Sequence, residues 1–313
     1  MNSTRTLPQL ANQKFLTDGG LETWLIFDEG IDIPNFASFT LMEDANAVST
    51  MKRYFNNHLD IARRHGAGFI LESPTWRASK DWADLMGIDQ QRLKAMTTKA
   101  VEMMLELHDE APVDQPTIIV SGNVGPRGDG YNPAFQMTAD EAEAYHTPQI
   151  TTMVEAGAEM IGALTITYGA EAIGITRAAR KAGVPVSVSF TTETDGKLPD
   201  GMSLKEAIET VDIETDFGPA SYMINCAHPS HFDHALDHGE VWLERVRGIR
   251  ANASTMSHAE LDNAEELDSG DPVDLGARYK DLGSKMPGLT IMGGCCGTDH
   301  KHIAAIAVAC MAA

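Results

Sequence analysis

The chain is poor in the residues that would set it apart from ordinary globular proteins. Aromatics make up 6% of its 313 residues, and only 4 residues are cysteine. Four cysteines cannot form the dense disulfide framework of a small secreted scaffold, and a chain of this length buries enough core to fold without one. No run of about 18 uncharged apolar residues occurs, so no membrane-spanning helix is expected. Met1 to Pro8 lacks the apolar stretch of a secretory leader, which reads as a soluble, cytoplasmic protein. Positive charge is scarce: 24 Lys and Arg face 45 Asp and Glu, for a formal net charge of −21. A phosphate backbone or an anionic membrane surface would be repelled, so the expected partners are small molecules. In a reducing compartment the cysteines are better read as metal ligands or catalytic groups than as disulfides.

Short apolar runs rich in β-branched residues alternate with segments of helical period. Strands are predicted at 15–17, 69–71, 117–121, 160–167, 184–191, 222–225, 248–252 and 289–292. Continuous runs such as Ile118-Ile119-Val120 suit strands buried on both faces, the habit of parallel sheets. Between them, Val48, Met51, Phe55, Leu59 and Ala62 recur at helical spacing before a stop at Gly66. Thr138 with Glu141, and Ser203 with Glu206, have capping-box spacing. Eight strands with intervening helices predict one α/β domain over residues 1–313, a (β/α)8 TIM barrel. An open doubly wound sheet is the alternative, but it normally carries a Gly-rich phosphate loop after its first strand, and none is present.

Three cysteines fall at strand ends. Cys226 closes the run Tyr222 to Asn225, and Cys295 and Cys296 follow Leu289 to Gly294. In a barrel the C-terminal ends of the strands form the active-site rim, so these thiols could converge although about 70 residues separate them. Neighbouring cysteines rarely pair with each other, but both can ligate one metal where glycines let the backbone turn. Three thiolates with an open fourth position describe a catalytic zinc site. Buried apolar cysteines are the plainer alternative.

The flanking residues carry a resemblance. Gly293-Gly294-Cys295-Cys296-Gly297-Thr298, followed by His302-Ile303, resembles the C-terminal zinc motif of the homocysteine S-methyltransferase family. Asn225-Cys226 resembles the family's other zinc segment, and Asp18-Gly19-Gly20-Leu21-Glu22-Thr23 its opening strand and loop. Thr75-Trp76-Arg77-Ala78-Ser79, Gly122-Asn123-Val124-Gly125-Pro126, Asp200 to Leu204 and Asn252 follow in order, so the resemblance spans about residues 15–308. It implies a barrel whose Cys226, Cys295 and Cys296 hold Zn2+, where the acceptor becomes a zinc-bound thiolate and attacks an activated methyl group. Asp18, Gly19, Gly20, Thr75 and Asn225 are the implied substrate-binding residues, with the amides of Gly19 and Gly20 available to a carboxylate.

One position departs from the family pattern. Where the family carries a glutamate that helps hold the amino-acid end of homocysteine, this chain has Leu164. Losing a charge-assisted hydrogen bond costs about 1.5–3 kcal/mol, enough to redirect substrate choice. Either another acid (Glu22, Glu72 or Glu193) substitutes, or the acceptor is a different thiol. Arg77, near the rim, would suit a substrate carboxylate. The donor is expected to be a small sulfonium or betaine, a cation that Trp24, Trp76 and Tyr131 could meet through cation–π contacts.

The remaining candidates have structural readings. His228 is expected to line the pocket or the surface, His231, His234 and His238 to form a solvated helix face, and His300 and His302 to cap or pack the last helix. Cys310 is assigned to packing. Seven acids and no Lys or Arg lie between His258 and Asp274, expected as a solvated loop. Other classes considered are a zinc hydrolase, disfavoured by the all-sulfur ligand set, a non-catalytic zinc or redox barrel, and a barrel that has lost activity.

Overall fold

The computed structural model describes residues 7–11, 13–133, 135–236, 239–264 and 266–311. Its strands are β1 (Phe15–Leu16), β2 (Gly68–Glu72), β3 (Ile118–Val124), β4 (Met160–Ile166), β5 (Val186–Phe190), β6 (Ser221–Asn225), β7 (Val246–Ala251) and β8 (Ile291–Gly294). Each pairs in parallel with the next, and β1 pairs with β8 through Phe15↔Ile291, closing the barrel. Closure removes every open edge, so the backbone groups of the sheet need no further cover.

The helices, in chain order, are α1 (Leu21–Phe27), α2 (Ala45–Arg64), α3 (Lys80–Leu85), α4 (Gln90–Asp109), α5 (Ala139–Ala156) and α6 (Gly169–Ala182). They continue with α7 (Leu204–Thr215), α8 (Pro229–Phe232), α9 (His258–Asp262), α10 (Pro272–Lys285) and α11 (His300–Met311). Their ends follow the local sequence. Thr138 and Ser203 close the expected capping boxes on α5 and α7, and Ser257 with Glu260 forms a third on α9. Each such cap typically contributes about 1 kcal/mol. Gly157 and Gly183 stop α5 and α6 in the left-handed conformation.

The inside of the barrel is layered. Phe15, Ile70, Ile119, Met160, Met223 and Ile291, drawn from six strands, form a small buried cluster that fills the N-terminal end. Alternation along each strand then brings Thr17, Glu72, Ser121, Gly162, Asn225 and Arg250 one step toward the C-terminal rim. An apolar floor beneath a polar layer positions the site. No helix among the described residues is long and apolar enough to cross a membrane.

Candidate active site

The three rim cysteines converge. The Sγ atoms of Cys226, Cys295 and Cys296 all lie within 4.8 Å of one another. Cys226 and Cys295 are joined as a disulfide, with Cα atoms 5.4 Å apart, and Cys296 is free. This corrects the expectation that none of these thiols would pair. The motif that brings metal ligands together also brings two sulfurs close enough for an oxidant to join them by taking two electrons from the pair.

Local backbone explains the convergence. Cys226 has φ 54°, the left-handed region that a non-glycine residue rarely occupies. Its amide donates to the Arg250 carbonyl at 3.1 Å. Its own carbonyl accepts from Asn252 Nδ2 at 3.0 Å and His258 Nε2 at 2.6 Å. On the other side, a Cβ at Gly293 or Gly294 would overlap the hydroxyls of Thr17 and Thr298, so only glycines let the chain pass into Cys295 this closely.

A bulge in β4 faces the sulfurs. The register with β5 shifts between Ala163 and Ile166, and Thr165 has φ 64°. The kink turns Leu164 and Thr165 toward the same cavity. Asn225 locks it: its Oδ1 accepts from the Thr165 amide and its Nδ2 donates to Thr165 Oγ1, both at 2.8 Å. Asn225 Nδ2 also lies 3.9 Å from Cys295 Sγ, and Thr165 Oγ1 3.7 Å from Cys226 Sγ. Tyr131 reaches Cys296 Sγ at 3.8 Å and stacks on His258 at 3.9 Å between ring centres.

The cavity holds about 380 Å³ and is lined by Asp18, Gly19, Gly20, Glu72, Leu164 and Arg250, besides the cysteines and Asn225. Asp18 is buried, with Oδ1 accepting from Arg250 Nη2 at 2.8 Å and Oδ2 from the Tyr54 hydroxyl at 3.3 Å. Arg250 Nε donates to the Gly294 carbonyl at 3.1 Å. Glu72 is buried as well, and desolvation pushes its carboxyl up to about 7, against the pull of Arg250 and Ser121. Sequence reasoning missed Arg250. The available signal was a second arginine, after Arg247, in the short strand Val246 to Ala251.

These contacts show how the other expected residues are engaged. The Thr75 hydroxyl donates to the Asn123 carbonyl at 2.7 Å. The Gly20 amide donates to the Thr298 carbonyl at 2.9 Å. Arg77 stacks on Trp76 and Trp82, 4.9 and 4.0 Å from their ring centres. Of the aromatics, Trp24 packs on Tyr54 and Arg53 rather than lining the cavity, while Trp76 and Tyr131 do line it.

The histidines divide differently than expected. His228 is a buried cap of α8, accepting from the Ser230 amide, and burial pushes it down to about 4. His231 is buried rather than solvated, its Nε2 donating to the Thr255 carbonyl at 2.9 Å. His238 lies outside the described residues. His302 packs α11 through Asp299 and the Ser269 carbonyl, as expected. Part of the acidic segment is not a remote loop: Leu261, Asp262, Ala264, Glu266, Leu267 and Asp268 line the cavity.

A closed parallel barrel with a sulfur cluster at the C-terminal rim defines a (β/α)8 barrel of thiol-based chemistry. The model of the homocysteine S-methyltransferase family matches residues 15–310, and the chain belongs to that family. It is 22% identical to homocysteine S-methyltransferase 1 of Arabidopsis thaliana, over 93% of this chain and 91% of that protein. It is 24% identical to the homocysteine S-methyltransferase of Escherichia coli strain K12, over 80% of this chain and 81% of that protein. In structure it is similar to the homocysteine methyltransferase MmuM from Escherichia coli. The oxidized form superposes with a TM-score of 0.77 at 20% identity, over 98% of this chain and 99% of that one. The metallated form gives 0.74 at 18% identity, over 97% and 98%. These likenesses establish a shared fold.

Proposed function

We propose that this chain, acting as one barrel in the cytoplasm, transfers a methyl group from a small sulfonium or betaine-type donor to the sulfur of a thiol, homocysteine being the inherited acceptor. The observation that carries the reading is the convergence of Cys226, Cys295 and Cys296 within 4.8 Å at the wall of a cavity.

The donor set fits zinc. Three soft sulfurs select Zn2+ over hard cations, and sulfurs gathered within 4.8 Å can share one ion at bonds of ~2.3 Å once the disulfide is opened. Cys226, Cys295 and Cys296 would hold the ion, with the Cys226–Cys295 bond reduced, because the ligand is the thiolate. When bound, zinc supplies the Lewis acidity that lowers a thiol's pKa, so that thiolate exists at neutral pH.

The protein's own residues do the positioning. Asn225 holds the β4 bulge against the cluster, Tyr131, stacked on His258, reaches Cys296, and Leu164 and Trp76 give the cavity apolar walls. Excluding water strengthens every charge interaction inside, and in-line transfer from a held donor to a held sulfur needs alignment more than a base.

The test is zinc content of reduced, freshly purified protein, followed by thiol-dependent consumption of labelled methyl donors. One zinc per chain and methylated acceptor are expected. No zinc, or full activity in Cys295→Ser, would overturn the reading. The Cys226–Cys295 bond favours a second reading, a zinc-storing or redox-sensing barrel, which predicts zinc binding without methyl consumption.

A further inference from the structure

Two buried groups of opposite charge face the cavity with hydrogen-bonding capacity left over. Glu72, 4% exposed at the end of β2, has no partner for its Oε2. Arg250, 5% exposed on β7, uses Nη2 on Asp18 and Nε on Gly294, while its Nη1 has none. No ion pair among the described residues joins the two, so neither satisfies the other. Leaving a buried donor nitrogen and a buried acceptor oxygen without hydrogen bonds is unfavourable unless something else occupies them.

The space around them is built. A Cβ at Gly162 would lie 2.7 Å from both carboxylate oxygens of Glu72, so the glycine on β4 is what admits the acid to this layer. Two residues on, Leu164 presents an apolar wall to the same cavity. Three other acids named as candidates are engaged. Glu22 Oε1 accepts from Ser38 at 2.7 Å, and Glu193 pairs with His258 at 3.1 Å. Asp18 holds Arg250 and Tyr54.

A ligand that satisfies both leftovers must accept at Arg250 and donate at Glu72. An anion alone would leave Glu72 unpaired and set two carboxylates in one cavity. A cation alone would leave Arg250 Nη1 unpaired. We propose that Glu72 and Arg250 form the head-group clamp of the acceptor site, Glu72 taking the ammonium and Arg250 the carboxylate of an α-amino acid whose sulfur faces the cysteine cluster. The clamp rests on the methyl-transfer reading only for the identity of that ligand as acceptor. Burial holds the Glu72 carboxyl up near 7, and an adjacent ammonium draws it back toward the ionised form.

The test is calorimetric titration of the reduced full-length protein and of Glu72→Gln with methionine, 4-(methylthio)butanoate and 3-(methylthio)propylamine. None of these ligands has a free thiol, so binding does not depend on zinc or on a donor. Wild type is expected to bind methionine at least about tenfold more tightly than either truncated ligand. Glu72→Gln is expected to abolish the preference for methionine over 4-(methylthio)butanoate. Equal binding of methionine and 4-(methylthio)butanoate by wild type overturns the clamp, and so does a preference that survives Glu72→Gln. The wild-type series alone decides the matter if Glu72→Gln does not fold. Failure of methyl transfer with the binding preference intact overturns the enzymatic reading and leaves the clamp standing.

Discussion

Arg250 and Asp18, 232 residues apart in the chain, meet inside the barrel through a 2.8 Å bond from Nη2 to Oδ1. Both side chains are about 95% shielded from solvent, at 6% and 5% exposure. Removing one partner leaves the other as an uncompensated buried charge. Arg250→Met is therefore expected to destabilise the fold by about 3–5 kcal/mol, read as a lower urea midpoint with an unchanged m-value. An unaltered midpoint would mean that solvent reaches Asp18.

The cysteines are expected to separate cleanly by role. Serine at 226, 295 or 296 should abolish stoichiometric zinc and lower methyl transfer at least ~100-fold, more than loss of an outer-shell partner does. Cys310→Ser, in α11 and remote from the cluster, should leave zinc content and rate unchanged. Elemental analysis beside a rate assay checks both.

Gly162→Ala adds one methyl group against the Glu72 carboxylate, where 2.7 Å is too close for a carbon. Overpacking costs roughly 1–3 kcal/mol, and the carboxylate must swing away. The KM for homocysteine is expected to rise about tenfold with kcat within a factor of about three, a pattern of lost ground-state and transition-state binding together. Steady-state kinetics on the variant measures it.

Glu72 also makes stability depend on pH in a defined direction. Its folded pKa, about 7, lies above the ordinary 4.5, so the folded state holds the proton more tightly than the unfolded chain. The contribution is fully present below pH 4.5 and is lost as pH rises to 7, by roughly 3 kcal/mol at most. His228, pushed down to about 4, acts oppositely between pH 4 and 6.5, adding stability as pH rises. His228 thus offsets part of the Glu72 contribution in the wild type. Denaturation of wild type and Glu72→Gln at pH 5 and 7.5 isolates the Glu72 part: the Gln variant should lose less, or gain more, on going up.

Strands were legible because a parallel barrel buries both faces, which writes them as continuous β-branched runs. The edges that moved have physical reasons. β7 begins at Val246, two residues before the expected start, because Arg247 reaches the Leu10 carbonyl from a strand position that a charge disguises. The cysteine cluster was legible through its glycine context. The polar layer below it was not: Arg250 and Glu72 are ordinary charged letters in sequence, and only the barrel's closure turns them inward together. The acidic segment shows the same limit, since charge density signals solvent contact but not which opening the solvent fills.

That segment has a kinetic consequence. Asp262, Glu266 and Asp268, with Asp129 opposite, stand around the entrance to the cavity. Burial, and then the nearby Asp129 carboxylate, push the Asp262 carboxyl above its ordinary value. A cationic methyl donor approaching from solution would be drawn down this field, and an anionic competitor would be turned away. The capture rate for the donor should therefore fall steeply as salt is added, while the turnover of donor already inside stays level.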